Sequence, residues 1–312
     1  MSTPVFALEP DQVAGAFLSA CRLDVTAFKP GNVSVSAPGH GMRAEDFLVS
    51  AEAAVPALSA PALSVGTRIL RAVEATRRVV SCNTNLGILL LAAPLAQAAL
   101  TPLSVAELRE RVRAVLAELT VGDTEQAYRA IRLAAPGGLG RAERHDVAAG
   151  EPEVPLLDAM REAAGRDRVA AQYISGYEDV FDVGVVIARA ARERGELPEQ
   201  AAVEIYLSFL TRFPDSHIAR KWGEPAAQAV RSEARHWLEQ LQRAQGVAQM
   251  RAILSSADAK LKAERINPGT SADLTVATWF AIALEESLRA EYHGSRAGGP
   301  GRRPSVNGGS SV

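Results

Sequence analysis

Apolar positions recur along most of the chain at the three- and four-residue spacing of a helix face: Val13, Phe17 and Ala20, then Leu108, Val112, Val115 and Leu119, then Val203, Tyr206, Leu207 and Leu210. Strand-like alternation is confined to Val33-Ser34-Val35-Ser36, and four residues between Gly31 and Pro38 read as a loop. Helix punctuation agrees: Ser104 and Glu107 have capping-box spacing, and Asp123 with Gln126 offers a similar start. At a usual helix length of ~10–14 residues, the pattern predicts an all-α fold of about ten or more helices. It predicts one large multi-helix domain over residues 1–293, with no internal repeat. From Gly294 the sequence turns to Gly, Ser, Pro and Arg, with too little apolar surface to offset the entropy of ordering, so a disordered tail is expected over 294–312.

One stretch is apolar all round. Val79 to Ala106 carries no charge, but its continuous part, Leu86 to Leu100, is interrupted by Pro94 and Gln97. It falls short of the ~20 residues of a spanning helix, so the expectation is a helix inside the protein, with no membrane partner. Composition changes the picture only by exclusion. Of 312 residues, 47% are hydrophobic and 22% charged, which is ordinary globular usage. With 34 Lys and Arg against 36 Asp and Glu, no basic field speaks for nucleic acid as a partner. Cys21 and Cys82 are too few for a disulfide framework or a Cys-rich zinc site, and with no basic-then-apolar N-terminus they point to the cytoplasm. A homodimer is compatible with this composition.

Four polar clusters punctuated by Gly or Pro interrupt the helices. In Lys29-Pro30-Gly31-Asn32-Val33, continuing to His40-Gly41-Met42, Gly31 permits close backbone approach and Lys29 supplies a point charge, a pairing suited to phosphate; the alternative is an ordinary interhelical turn. Cys82-Asn83-Thr84-Asn85-Leu86-Gly87 opens the most apolar helix, where amides and a hydroxyl either cap it or face an anion. Asp215-Ser216-His217 leads to Arg220, Lys221 and Gly223, so acid and base lie close together, either as a surface ion pair or around a metal–phosphate group. Asn267-Pro268-Gly269-Thr270-Ser271-Ala272-Asp273-Leu274 enters the last long helix, where Thr270 or Ser271 would cap and Asp273 would complement the helix dipole.

Other signatures are missing. The string Pro136-Gly137-Gly138-Leu139-Gly140-Arg141 lacks the Lys-Ser/Thr ending of a P-loop. There is neither a Gly-x-Ser-x-Gly elbow nor a His-Glu-x-x-His pair, and the five histidines have no metal-ligand spacing. His236 and His293 read as solvated, His145 as of little functional weight, and His40 and His217 as the two with a functional alternative.

Taken in order, the four clusters resemble the triphosphoribosyl-dephospho-CoA synthase family from about Asp11 to Tyr292. The family's Lys-Pro-Gly string appears at Lys29-Pro30-Gly31, its His-x-Met step at His40-Gly41-Met42 with Phe47 and Ser50 following, and its Asn-Thr motif at Asn83-Thr84. Its Asp-Ser/Thr…Arg…Gly string resembles Asp215-Ser216 with Arg220 and Gly223, and its Ser-Pro-Gly-Gly-Ser-Ala-Asp-Leu signature resembles residues 267–274. Where familiar members continue Asn-Thr with His-Lys-Gly, this chain reads Asn85-Leu86-Gly87, and Gly140-Arg141-Ala142-Glu143 is a loose counterpart of their Arg-Gly-Glu-Ala. The Asn-Thr-Asn-Leu-Gly form resembles a divergent branch of archaea and one-carbon-oxidising bacteria.

The resemblance implies an enzyme that transfers the triphosphoribosyl group of ATP to dephospho-CoA and releases adenine. Two alternatives accompany it: a phosphoribosyl-type transfer to a pterin-pathway intermediate in methanopterin-type cofactor synthesis, and a helical protein that binds a nucleotide without turnover. The family chemistry implies Mg²⁺, with Lys29, Arg220 and Lys221 on the triphosphate and backbone amides near Gly31, Gly87 and Gly269 beside them. It implies Asp215 and Asp273 as metal ligand and proton acceptor in either order, and Asn83 or His40 on the departing adenine. Thr84, Asn267 and Ser271 complete the expected substrate contacts.

Overall fold

A computed structural model describes residues 5–104, 107–142, 144–148 and 150–297, with no side-chain description for 294–297. The all-α expectation holds. Fourteen α-helices are formed among the described residues: α1 (Pro10–Thr26), α2 (Ala44–Leu58), α3 (Val65–Val79), α4 (Leu86–Leu100), α5 (Leu108–Ala117), α6 (Val121–Ala134), α7 (Leu156–Ala163), α8 (Arg168–Ser175), α9 (Val185–Glu193), α10 (Pro198–Arg212), α11 (Ser216–Trp222), α12 (Glu224–Arg243), α13 (Val247–Ala263) and α14 (Gly269–Ala297). A π-helical turn, Asp179–Gly184, runs directly into α9. Val33 to Ser36 is loop, with only an isolated bridge between Ser34 and Ala37. The tail expected from Gly294 starts inside the bounds of α14, and residues 298–312 lie outside the described residues.

α4 is the apolar stretch singled out above, and thirteen of its residues are buried. It is surrounded by α1, α3, α5 and α14 in the main cluster of apolar side chains, where Phe17 of α1 meets Phe280 of α14 edge-on at 5.5 Å. A second cluster joins α10 to α13 through Tyr206, Leu210, Ile218, Val230, Trp237 and Leu261. α14 passes between the two, giving Ala272 to the second cluster and Leu274 onward to the first. No helix among the described residues is long and apolar enough to cross a membrane.

Two arginines are buried among carbonyl oxygens, although Arg68 Nε itself has no hydrogen-bond partner among the described residues. Arg68 donates to the carbonyls of Ala57, Leu58 and Leu63 and to Gln97 Oε1, and Arg111 donates to those of Phe6, Ala98, Thr101 and Leu103. Loops are thereby sewn to the central helix by charge-assisted bonds.

Helix starts differ in detail from the sequence reading. Asp123 is not the first cap of α6: Thr120 caps, and Asp123 answers as its capping-box partner while also accepting from Gly66 N–H of α3 at 2.8 Å. α5 begins at Leu108 with Glu107 in the cap position, so Ser104 does not cap it. At Gly66 the backbones of α3 and α6 nearly touch, and an added Cβ would lie 2.4 Å from the Asp123 carbonyl oxygen. Gly66→Ala is therefore expected to cost about 1–3 kcal/mol of stability, measured as a lowered urea midpoint with an unchanged slope.

Candidate functional site

The four clusters, far apart in sequence, wall one cavity of about 230 Å³. It is lined by His40 and Phe47 from the first stretch, Asn83, Thr84 and Gly87 from the second, His217, Arg220 and Lys221 from the third, and Asn267, Gly269 and Asp273 from the fourth. Direct bonds tie the clusters together. Asn32 Nδ2 donates to Asn267 Oδ1 at 3.1 Å, and the Ser216 and Thr270 hydroxyls lie 2.9 Å apart.

The Lys-Pro-Gly loop is held from behind by α10 and α13. Tyr206 OH donates to the Pro30 carbonyl at 2.6 Å, and Gly31 N–H donates to Asp258 Oδ1 at 2.8 Å. Gly31 has φ +78°, and a Cβ there would meet Leu261 Cδ1 at 2.7 Å, so only glycine fits this approach. Gly31 thus shapes the loop rather than the cavity surface. Lys29 is likewise turned inward. Only 1% exposed, it donates through Nζ to the Asp24 carbonyl and lies 2.9 Å from Asp24 Oδ1. It is not free to meet phosphate; it pins Asp24, which lines the cavity. Beside this ion pair, Asp24 Oδ1 accepts no hydrogen bond among the described residues and keeps that capacity for a ligand.

Asp215 also departs from its expected place. It is fully buried and outside the cavity wall. Oδ1 accepts from the backbone N–H groups of His217 and Ile218, and Oδ2 accepts from Ser271 N–H and Ser271 Oγ, both at 2.8 Å. Four donors saturate the carboxylate, so it caps α11 and fastens α11 to α14. Ser271 is the other half of that fastening and has no exposure to the cavity. Burial raises the Asp215 carboxyl above 3.8, a rise that these donors oppose.

Asp273 does face the cavity. Its carboxylate rests against the first turn of α4, where a Cβ on Gly87 would fall 1.9 Å from Oδ2. Burial first, and then the charge of Asp24, hold it well above the ordinary carboxylate range. Asn83 Oδ1 accepts from Leu86 N–H at 3.1 Å and so caps α4, leaving its amide nitrogen for a ligand. Thr84 donates to Ser50 Oγ at 2.7 Å, so Ser50 supports the wall from behind. His40 Nε2 donates to the Gly31 carbonyl at 2.8 Å, which leaves Nδ1 as an acceptor rather than a proton donor.

Arg220 is held in the wall by Gly137 O at 3.1 Å and by Asp167 at 3.5 Å, whereas Lys221 is exposed. His217 packs its ring on Gly269, where a Cβ would meet Nδ1 at 2.7 Å. Burial, then Arg220 and Lys221, push its pKa down to about 4. A base whose folded pKa lies below its unfolded 6.5 withdraws stability as pH falls from about 6.5 to about 4, because the unfolded chain then binds the extra proton. His217→Gln should remove much of this acid sensitivity, read as a flatter dependence of the denaturation midpoint on pH between 6.5 and 4.

Asp24 and Asp167 line the cavity from outside the four clusters, and Asn32 and Asn85 line it from within them without having been given a role from sequence. Asp24 carried a usable signal, since it continues the buried stripe of α1 through Val13, Phe17, Ala20 and Cys21, where a carboxylate is out of place.

The residues present fit Mg²⁺ brought by a polyphosphate. Asp24 and Asp273 place two carboxylates in one cavity, and Asp24 Oδ1 has an unused bond. Among the described residues no three His, Cys, Asp or Glu side chains are gathered as a protein-only cage. Mg²⁺ commonly uses one or two carboxylates together with substrate phosphates.

Comparison with known proteins follows the same lines. The family model CitG, ATP:dephospho-CoA triphosphoribosyl transferase, matches residues 10–292. The crystal structure of a provisionally assigned triphosphoribosyl-dephospho-CoA synthase from Archaeoglobus fulgidus superposes with a TM-score of 0.57, at 23% identity, covering 76% of this chain and 98% of that one, and so shares the fold. A search of curated proteins finds no significant match.

Proposed function

The chain belongs to the ATP:dephospho-CoA triphosphoribosyl transferase family and is a transferase acting on ATP and dephospho-CoA; from that premise we propose that transfer takes place in the cavity walled by the four clusters, with Asp24 and Asp273 in different roles. The observation that supports this reading is the meeting of two carboxylates, one pinned by Lys29 and one with raised proton affinity, among amides and cations suited to a nucleotide triphosphate. Neither the pterin-pathway acceptor nor a non-catalytic binder finds support in the fold or the family match.

Cleaving the bond between adenine and ribose puts positive charge on the sugar, and a fixed anion nearby lowers that barrier. Asp24, held by Lys29 against the cavity, supplies the anion. The attacking hydroxyl of the acceptor must lose a proton, and Asp273, whose surroundings raise its proton affinity, accepts it at a carboxylate oxygen. Two carboxyl groups in different surroundings are a usual way to divide such work. The acceptor oxygen bonds to the ribose carbon that adenine leaves, and the departing adenine, held by Asn83 Nδ2 as donor and His40 Nδ1 as acceptor, takes up a proton from water, while Arg220 and Lys221 with the start of α14 meet the triphosphate. Asp24 would hold Mg²⁺ together with the substrate phosphates, and the metal when bound would neutralise phosphate charge. Cys21 and Cys82 are both free thiols, which suits a reducing cytoplasm.

With Mg·ATP and dephospho-CoA together, chromatography is expected to detect free adenine, at a rate that vanishes when either substrate is omitted or the metal is chelated. Conversion of ATP to ADP or AMP with no free adenine would overturn the proposal.

A further inference from the structure

The reaction joins two nucleotides, and the cavity of the four clusters, at about 230 Å³, does not hold both. A second cavity of about 600 Å³ adjoins it. The two share Leu90, Asp167, Val169 and Arg220 in their walls, so the ion pair between Arg220 and Asp167 stands at their junction. The glycine string that fails as a P-loop runs along both: Pro136 and Gly137 line the first cavity, and Gly138 to Arg141 line the second. Gly138 and Gly140 take φ +74° and +67°, and a Cβ at Gly138 would lie 2.4 Å from the Arg220 carbonyl oxygen, so this loop is pressed onto α11.

The second cavity has the chemistry of a nucleotide site. Its floor is apolar, built from Leu90, Ile131, Leu156, Met160 and Val169, a surface suited to a purine face. Exposed Arg141, Arg144 and Arg166 stand at its rim and form no salt bridge among the described residues. Asp167 faces Arg220, and Asp146, Glu162 and Glu224 match the three rim arginines in number, so the rim presents both signs of charge; Asp146 accepts from the backbone of Ala142 and Ala148, and Glu224 accepts from Gln228.

Resting on the reading above, which places ATP against Asp24 and Asp273, we propose that this second cavity is the subsite for the nucleotide end of the acceptor, the adenosine 5′-pyrophosphate of dephospho-CoA. The adenine lies on the apolar floor, and the pyrophosphate meets the rim arginines. The ribose points its hydroxyl past Arg220 and Asp167 toward Asp273, and the pantetheine arm leaves over the exposed rim.

The test is steady-state adenine release by the full chain, varying each substrate in turn, in the parent and in two variants whose melting is checked. Arg144→Glu/Arg166→Glu reverses two exposed rim charges and gives up a surface bond from Arg166 to the Glu162 carbonyl, and Ala163→Phe fills the cavity from α7. Each is expected to raise KM for dephospho-CoA about tenfold or more while KM for ATP stays within about twofold. A raised KM for ATP with that for dephospho-CoA unchanged would give the cavity to ATP and overturn the assignment. Unchanged KM for both would show that neither substrate uses the cavity, and would overturn the assignment as well. A parent that releases no adenine overturns the proposed function itself, an outcome distinct from either of these.

Discussion

Asp273→Asn is expected to lower adenine release by about 10²-fold or more while leaving the melting temperature unchanged or slightly higher. The carboxamide keeps the size that fits against Gly87, so the wall between α4 and α14 survives. It cannot accept the acceptor's proton, and general bases commonly supply ~10²–10⁴-fold. It also removes a carboxylate that burial and the charge of Asp24 penalise, so folding loses nothing. Adenine chromatography and thermal unfolding on the same preparation check both halves. Parent-like turnover would remove Asp273 from the reaction.

Asp215→Ala is expected to do the opposite first. Deleting this carboxylate strands the N–H groups of Ile218 and Ser271 and the Ser271 hydroxyl inside the protein, while His217 N–H keeps Thr270 Oγ1 at 3.1 Å. At ~1–3 kcal/mol for a stranded buried group, with partial relaxation, the loss should reach about 3 kcal/mol. That corresponds to about 5 °C in melting temperature for a chain of this size. Adenine release should fall only as far as the fold loosens, and recover when assayed well below the melting transition. A variant that melts like the parent but does not turn over would place Asp215 in the chemistry, against the geometry.

The contrast between these carboxylates marks what the sequence could and could not disclose. Helical periodicity made the fold legible, and α4 stands at the bounds that its apolar run indicated, because a helix in the centre of the molecule needs no polar face. The family resemblance put residues of all four clusters on one substrate, and the clusters do wall one cavity. Which residue in each cluster faces inward did not follow from the sequence, since a residue's type does not disclose its partners. Lys29 and Asp215 look like site residues in a string of letters, yet each spends its charge on a neighbour: Asp24, five residues upstream, and Ser271, on another helix. Asp24 was overlooked for the converse reason, being a lone carboxylate within a helix and outside any cluster. The second cavity was invisible because it exists only where α4, α6, α7, α8 and the loop after α6 are brought together.

A crystal structure of the protein with Mg·ATP measures the central claim most directly. The ribose and triphosphate are predicted to occupy the cavity walled by the four clusters, with Asp24 and Asp273 oxygens within bonding distance of the metal or the sugar and Arg220 or Lys221 on phosphate. ATP seated in the larger cavity or on the outer surface, with Asp24 and Asp273 untouched, would contradict the account.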